Sequence, residues 1–136
     1  MRGPHAAAVA GCAIACLAAG CAPTIGDSCQ TSLDCSLNND RQCDRTVQNG
    51  QCTIFSCEAD SCPDGSNCVR FRPAPTRLSF TACMRPCRRD GGCRFDAGFR
   101  CFTEESAAEA DLAIEILDSR PNGPPGVCLG TVLEED

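Results

Sequence analysis

Twelve cysteines lie between Cys29 and Cys128, and they fall into three groups of four. The first group is Cys29-x5-Cys35-x7-Cys43-x8-Cys52. The second is Cys57-x4-Cys62-x5-Cys68-x14-Cys83, and the third is Cys87-x5-Cys93-x7-Cys101-x26-Cys128. Against them stands a thin apolar inventory: six Phe, no Trp, no Tyr, and scattered Ile, Leu and Val. A core of that size cannot offset chain entropy alone, so covalent staples are required. Twelve is an even number, as six disulfides need. The expected fold class is small and disulfide-rich, with irregular knuckle-like repeats, short β-hairpins and one short helix near residues 104–118.

The first and third groups share the x5 and x7 intervals, and both end in Gly-x-Cys (Gly50 before Cys52, Gly126 before Cys128). The interval before the third cysteine carries turn formers each time: Asn38-Asn39, Asp64-Gly65, and Asp96 with Gly98. This reads as a degenerate three-unit repeat, 29–52, 57–83 and 87–128, inside one domain spanning 29–136. Taken as independent units, the compact pairing is first with third and second with fourth. That gives Cys29–Cys43, Cys35–Cys52, Cys57–Cys68, Cys62–Cys83, Cys87–Cys101 and Cys93–Cys128. Spacing alone leaves on the order of ten thousand pairings open.

Strand signals are short: Val47 to Ser56 and Ser79 to Arg85 have mixed alternation between cysteines. The helix signal covers Glu104 to Asp118. Thr103 is a candidate N-cap, Glu104 and Glu105 suit the positive end of the dipole, and Ala107, Ala110, Ile114 and Leu117 form an apolar stripe.

Few chemistries fit. The only His is His5, and no Cys-x2-Cys occurs. Histidine-assisted nucleophiles, zinc knuckles and thioredoxin-like sites are therefore disfavoured. There is no P-loop, dinucleotide fingerprint or G-x-S-x-G. Asn38–Asp40 and Asp64–Asn67 offer oxygen atoms, but neither matches an EF-hand loop. No catalytic residue, metal site or cofactor is expected.

Charge is uneven. There is no Lys, and eight of the twelve Arg lie between Val69 and Cys101, against only Asp90 and Asp96. Arg70, Arg72, Arg77, Arg85, Arg88 and Arg89 are candidate anion-binding residues, because guanidinium groups grip phosphate or carboxylate bidentately. The segment Arg70–Arg77, with Pro73 and Pro75, reads as an exposed, extended loop. The competing reading is that these arginines pair internally with the acids of the expected helix: Glu104, Glu105, Glu109, Asp111, Glu115 and Asp118. Nucleic acid is disfavoured by the formal net charge of -6.

The N-terminus gives an address. Ala6 to Gly20 is an apolar run of 15 residues behind Arg2. A spanning helix needs about 20, so the run has the length of a signal-peptide core. It ends in Leu17-Ala18-Ala19-Gly20-Cys21. That junction resembles the lipobox of bacterial lipoprotein precursors, with Ala18 where Leu is most usual. Together with the cysteine pattern, it resembles small cysteine-rich lipoproteins of myxobacterial type. The resemblance implies a signal peptide over 1–20, acylation at Cys21 and a membrane anchor. It also implies a tether over 21–28, whose seven residues after Cys21 reach at most about 25 Å. Setting Cys21 aside leaves twelve cysteines after the signal segment, an even number, as an ordinary signal-peptidase cut after Ala22 also would. Ala22, where an Asp would signal inner-membrane retention, favours the outer membrane. Such dense cysteine in an exported chain implies an oxidising compartment.

The expected function is a non-enzymatic binding or structural module of the cell envelope. Its partners would be the membrane, through Cys21, and an anionic envelope polymer or an extracellular protein. The alternatives are a disulfide-rich protease inhibitor presenting the Arg70–Arg77 loop, and a hydrolase working without His.

Overall fold

The computed structural model describes residues 23–74 and 76–131; the expected signal peptide and Cys21 lie outside them. Among the described residues the fold is a small disulfide-rich one, built from short antiparallel strands. Strand β1 (Gln42–Asp44) pairs with β2 (Gln51–Thr53). Strand β3 (Asn67–Phe71) lies between β4 (Phe80–Met84) and β7 (Ile114–Ile116). Strand β8 (Gly126–Leu129) lies between β5 (Pro86–Cys87) and β6 (Arg100–Phe102). Two short helices, α1 (Ser32–Cys35) and α2 (Glu104–Glu109), fill the loops of the first and third units.

Six disulfides join Cys29–Cys43, Cys35–Cys52, Cys57–Cys68, Cys62–Cys83, Cys87–Cys101 and Cys93–Cys128, with Cα separations of 5.4–6.0 Å. Each unit thus joins first to third and second to fourth. The register explains how both bridges fit. The third and fourth cysteines stand directly opposite each other on a hairpin: Cys43 with Cys52, Cys68 with Cys83, and Cys101 with Cys128. They do not bond to each other. Each reaches back to a cysteine of the preceding loop, so the two bridges of a unit pack together. The first three sulfurs of every unit lie within 4.8 Å of one another.

The chain entering each unit adds a further strand segment. The N–H of Cys52 donates to the Asp27 carbonyl, that of Cys83 to Ile54, and that of Cys128 to Arg85, at 2.8–3.0 Å. The lead-in at Ile54 directly follows β2, and the lead-in at Arg85 directly follows β4. One extended run therefore closes a unit and opens the next.

A side-chain oxygen meets the N–H of each third cysteine. Ser32 Oγ accepts from Cys43 at 3.1 Å, and Asp90 Oδ1 from Cys101 at 2.9 Å. Both residues stand three positions after the first cysteine of their unit. In the second unit that position is Asp60, but Asp118 Oδ2 accepts from Cys68 at 3.0 Å instead. Asp60 turns outward, with φ 61°, and its N–H donates to Asp118 Oδ1 at 2.7 Å. Its own carboxylate accepts from Ser119 N and Oγ.

The Gly-x-Cys motif has a steric cause. A Cβ on Gly50 would lie 2.3 Å from the Cys29 carbonyl oxygen and 3.0 Å from Cys43 Sγ. A Cβ on Gly126 would meet the equivalent atoms, Cys87 O at 2.9 Å and Cys101 Sγ at 2.8 Å. The second unit has Thr81 there, and its Oγ1 donates to the matching carbonyl, Cys57 O, at 2.7 Å.

Apolar packing is modest. The main cluster joins the second and third units through Val69, Ala82, Met84, Ala107, Ile114, Val127 and Leu129. Three smaller clusters are built largely around the bridges themselves, with Ile25, Val47 and Phe99 as their aliphatic and aromatic members.

Three expectations change. The helix expected over 104–118 stops at Glu109. Its cap is as expected, with Thr103 Oγ1 accepting from Ser106 N at 3.2 Å. After Ala110 the chain turns through Asp111, φ 57°, and Ile114–Ile116 becomes β7. A lone 15-residue helix is marginal in water, whereas β-branched Ile-Glu-Ile suits the open edge of β3. The Arg70–Arg77 segment is not wholly a loop, because Arg70 and Phe71 belong to β3 and Thr76–Leu78 forms a 3-10 turn. Finally, residues 23–28 do not form a free tether. Ile25 is buried, Gly26 N–H donates to Cys52 O at 2.8 Å, and Asp27 holds Arg85.

Gly50→Ala is expected to destabilise the oxidised protein by about 2–5 kcal/mol, from a left-handed backbone plus overpacking. Gly65→Ala shares the positive φ but meets nothing within 4 Å, so its cost is expected to be about 1–2 kcal/mol. Thermal melts of the two variants without reductant check the difference.

Candidate functional site

An apolar groove of about 300 Å³ opens where the three units meet. Its floor is laid by alternation along β4, which places Phe80, Ala82 and Met84 on one face. Phe71 stands opposite Phe80 across the β3–β4 ladder, and their rings stack with centroids 4.8 Å apart. The first unit adds Val47 and Gln51, the turn after α2 and the start of β7 add Leu112 to Ile114, and the end of β8 adds Leu129, followed by Gly130. Asp44, Thr46, Asp111 and Arg72 form the polar rim. Asp44 is held by its own turn, accepting from Thr46 N at 2.9 Å and Thr46 Oγ1 at 2.6 Å. Phe80 and Leu112 remain 49% and 41% exposed, so the groove already presents apolar surface. The lining offers carboxylates, an amide, a hydroxyl and one guanidinium. It suits an apolar group with a polar end.

Sequence reasoning did not find this groove, because its residues come from five separated segments. The usable signal was the alternation Phe80-x-Ala82-x-Met84, with Phe71 nine residues before.

The six candidate arginines do not form one patch. Arg70 Nη1 pairs with Glu115 Oε2 at 2.8 Å, across the β3–β7 ladder. Arg85 Nη2 pairs with Asp27 Oδ1 at 2.5 Å. Arg72, Arg77, Arg88 and Arg89 are exposed, and their guanidinium groups have no hydrogen-bond or ion-pair partner among the described residues. Arg72 and Arg77 lie in the β3–β4 loop, and Arg88 and Arg89 follow Cys87 beyond the other end of β4. The acids expected to share one helix face are dispersed as well. Glu115 is on β7, Asp118 caps the Cys68 N–H, and Glu104 Oε1 accepts from Ile116 N at 2.6 Å.

Two further arginines act as clasps. Arg94 donates from Nε to Gly26 O at 2.9 Å and from Nη2 to Gly50 O at 2.5 Å, while stacking over Phe99 at 4.2 Å. It thereby ties the N-terminal segment and the first unit to the third. Burial, with Arg85 nearby, lowers its pKa from the ordinary guanidinium value. Arg100 covers Phe95 at 3.7 Å and donates to two carbonyls.

The three sulfur triads, Cys29/Cys35/Cys43 and its two counterparts, have the proximity of metal ligands. In each, the sulfurs are committed to disulfides, so the triads record how the bridges pack. No family model, curated protein or solved structure matches this chain.

The Asp27 pair carries a pH signature. Burial opposes its charge, but hydrogen bonds from Thr24 and Arg85, with the Arg85 charge, outweigh it and lower the pKa below 3.8. A lowered carboxylate pKa adds stability above the unfolded value, and that stability is lost as pH falls through the folded value. Because the Asp27 side chain is 40% exposed, Asp27→Asn is expected to cost only about 0.5–1 kcal/mol at pH 7. Wild type and variant should converge as pH falls through the folded pKa, which paired melts in an acid series from pH 7 downward would show.

Proposed function

We propose that the protein is a membrane-anchored, extracytoplasmic module of a bacterial cell envelope, one that binds or braces rather than catalyses. The observation that carries this reading is the set of six disulfides within 100 residues. Such a set persists only where thiols are oxidised, which agrees with a signal segment ahead of Cys21. In this reading Cys21 carries the acyl chains, and Ala22 after it favours the outer membrane. Pro23 is already held by Arg41 and Ile25 is buried, so an acylated Cys21 would rest the domain against the bilayer. The groove along β4 is the place for an apolar ligand group.

Within the same reading, the exposed pairs Arg72/Arg77 and Arg88/Arg89 support contact with an anionic envelope polymer. The protease-inhibitor alternative draws less support. A protease binds its target in extended form, and Arg77 lies within a 3-10 turn.

Intact mass of the protein extracted from its own membrane tests the central scheme. The expected result is an acylated N-terminus at Cys21 and a gain of twelve hydrogens on reduction, two for each bridge. An unmodified Cys21, or a different hydrogen gain, overturns it. The arginines are tested separately. Arg72→Gln with Arg77→Gln should leave stability within about 0.5 kcal/mol while weakening retention on a polyphosphate matrix. Retention unchanged by the double variant removes these two residues from the polymer contact.

A further inference from the structure

Leu37 and Leu33 are the most exposed large apolar side chains among the described residues, at 88% and 69%. Both belong to the first unit. Leu33 is in α1, and Leu37 is in the turn that leads to Arg41. Arg41 Nη1 donates to the Pro23 carbonyl at 3.0 Å, so this turn is fastened to the start of the packed chain. Its Nε is buried with no hydrogen-bond partner among the described residues. Pro23 is two residues beyond Cys21, a span of at most about 7 Å. An acylated Cys21 would therefore hold the Leu33–Arg41 segment at the membrane surface.

We propose that this segment is a bilayer-facing patch, in which Leu33 and Leu37 enter the interfacial layer of a zwitterionic phospholipid surface beside the acyl chains. The inference rests on the reading of Cys21 as acylated. The acyl chains supply attachment, and the patch fixes which side of the domain meets the lipid. Charge selects the type of surface. Asp34 accepts from the N–H groups of Gln30 and Thr31, both at 2.8 Å, and Asp40 accepts from Ser36 Oγ. These hydrogen bonds lower both pKa values, so two carboxylates stand beside the leucines against the one cation of the segment, Arg41, which is turned to Pro23, and the balance repels an anionic surface. The third leucine with high exposure, Leu78, is at the β3–β4 loop and has no such link to Pro23.

The protein has no Trp, so single-Trp variants report without background. Leu33→Trp, Leu37→Trp and the control Leu78→Trp would be purified in processed form and reconstituted into phosphatidylcholine vesicles containing brominated lipid. Intact mass on the same samples reads acylation and the six bridges. The expected result is quenching of about twofold or more for the first two, consistent with insertion of about 5–10 Å, and little for Leu78→Trp. Replacing part of the phosphatidylcholine by phosphatidylglycerol should reduce the quenching. Acyl mass present with all three variants equally quenched, or none quenched, overturns the patch and leaves the anchor standing. Acyl mass absent from Cys21 overturns both. Stronger quenching on the anionic vesicles overturns the zwitterionic assignment.

Discussion

The structure depends on one geometric arrangement, two cysteines placed opposite each other on a hairpin but bonded elsewhere. Had Cys43 bonded to Cys52, the link would have duplicated what the β1–β2 ladder already provides. Bonding backward instead ties the hairpin to the loop before it, closing rings with sequence separations of 14 and 17. The same choice recurs at Cys68 and Cys83 and at Cys101 and Cys128. Each bridge typically contributes about 2–4 kcal/mol, chiefly by restricting the unfolded chain. A domain with one small aliphatic cluster and three clusters centred on sulfur needs that contribution.

The glycines and caps follow from this arrangement. Packing two bridges beneath a hairpin brings the first carbonyl and the third sulfur against the strand of the fourth cysteine. Gly50 and Gly126 give way sterically, whereas Thr81 converts the same closeness into a hydrogen bond. The third cysteine, held from below, leaves its N–H to be met by a side chain. Ser32 and Asp90 meet it locally, and in the second unit Asp118 does so from beyond β7. The insertion in the third unit is therefore structurally engaged with the second.

Much of this was legible in the sequence. Spacing identified the units, and an independent-unit pairing matches the six bridges. The turn formers sit where the backbone is left-handed, at Asn39, Gly65 and Gly98. The Thr103 cap was equally readable. What could not be read was decided at a distance. Ile114 with Leu117 fits a helical stripe and Ile114 with Ile116 fits one face of a strand, and only the vacant edge of β3 selects between them. Arg70 and Glu115 are 45 residues apart, so their pairing depends on that same edge. The groove is assembled from segments that no local window contains. Three residues, Ser32, Asp60 and Asp90, each three positions after a first cysteine, were a periodic signal that spacing arguments centred on cysteine alone passed over.

The shared strands, where one unit ends and another begins, have a mechanical meaning. A force applied between the two ends of the domain need not follow the whole backbone. It can pass through Cys35–Cys52, then the run from Cys52 to Cys62, then Cys62–Cys83, the run from Cys83 to Cys93, and finally Cys93–Cys128. Every long loop is bypassed, including the one that carries α2 and β7. The domain should therefore behave as a nearly inextensible link under tension while oxidised, and lengthen sharply once reduced.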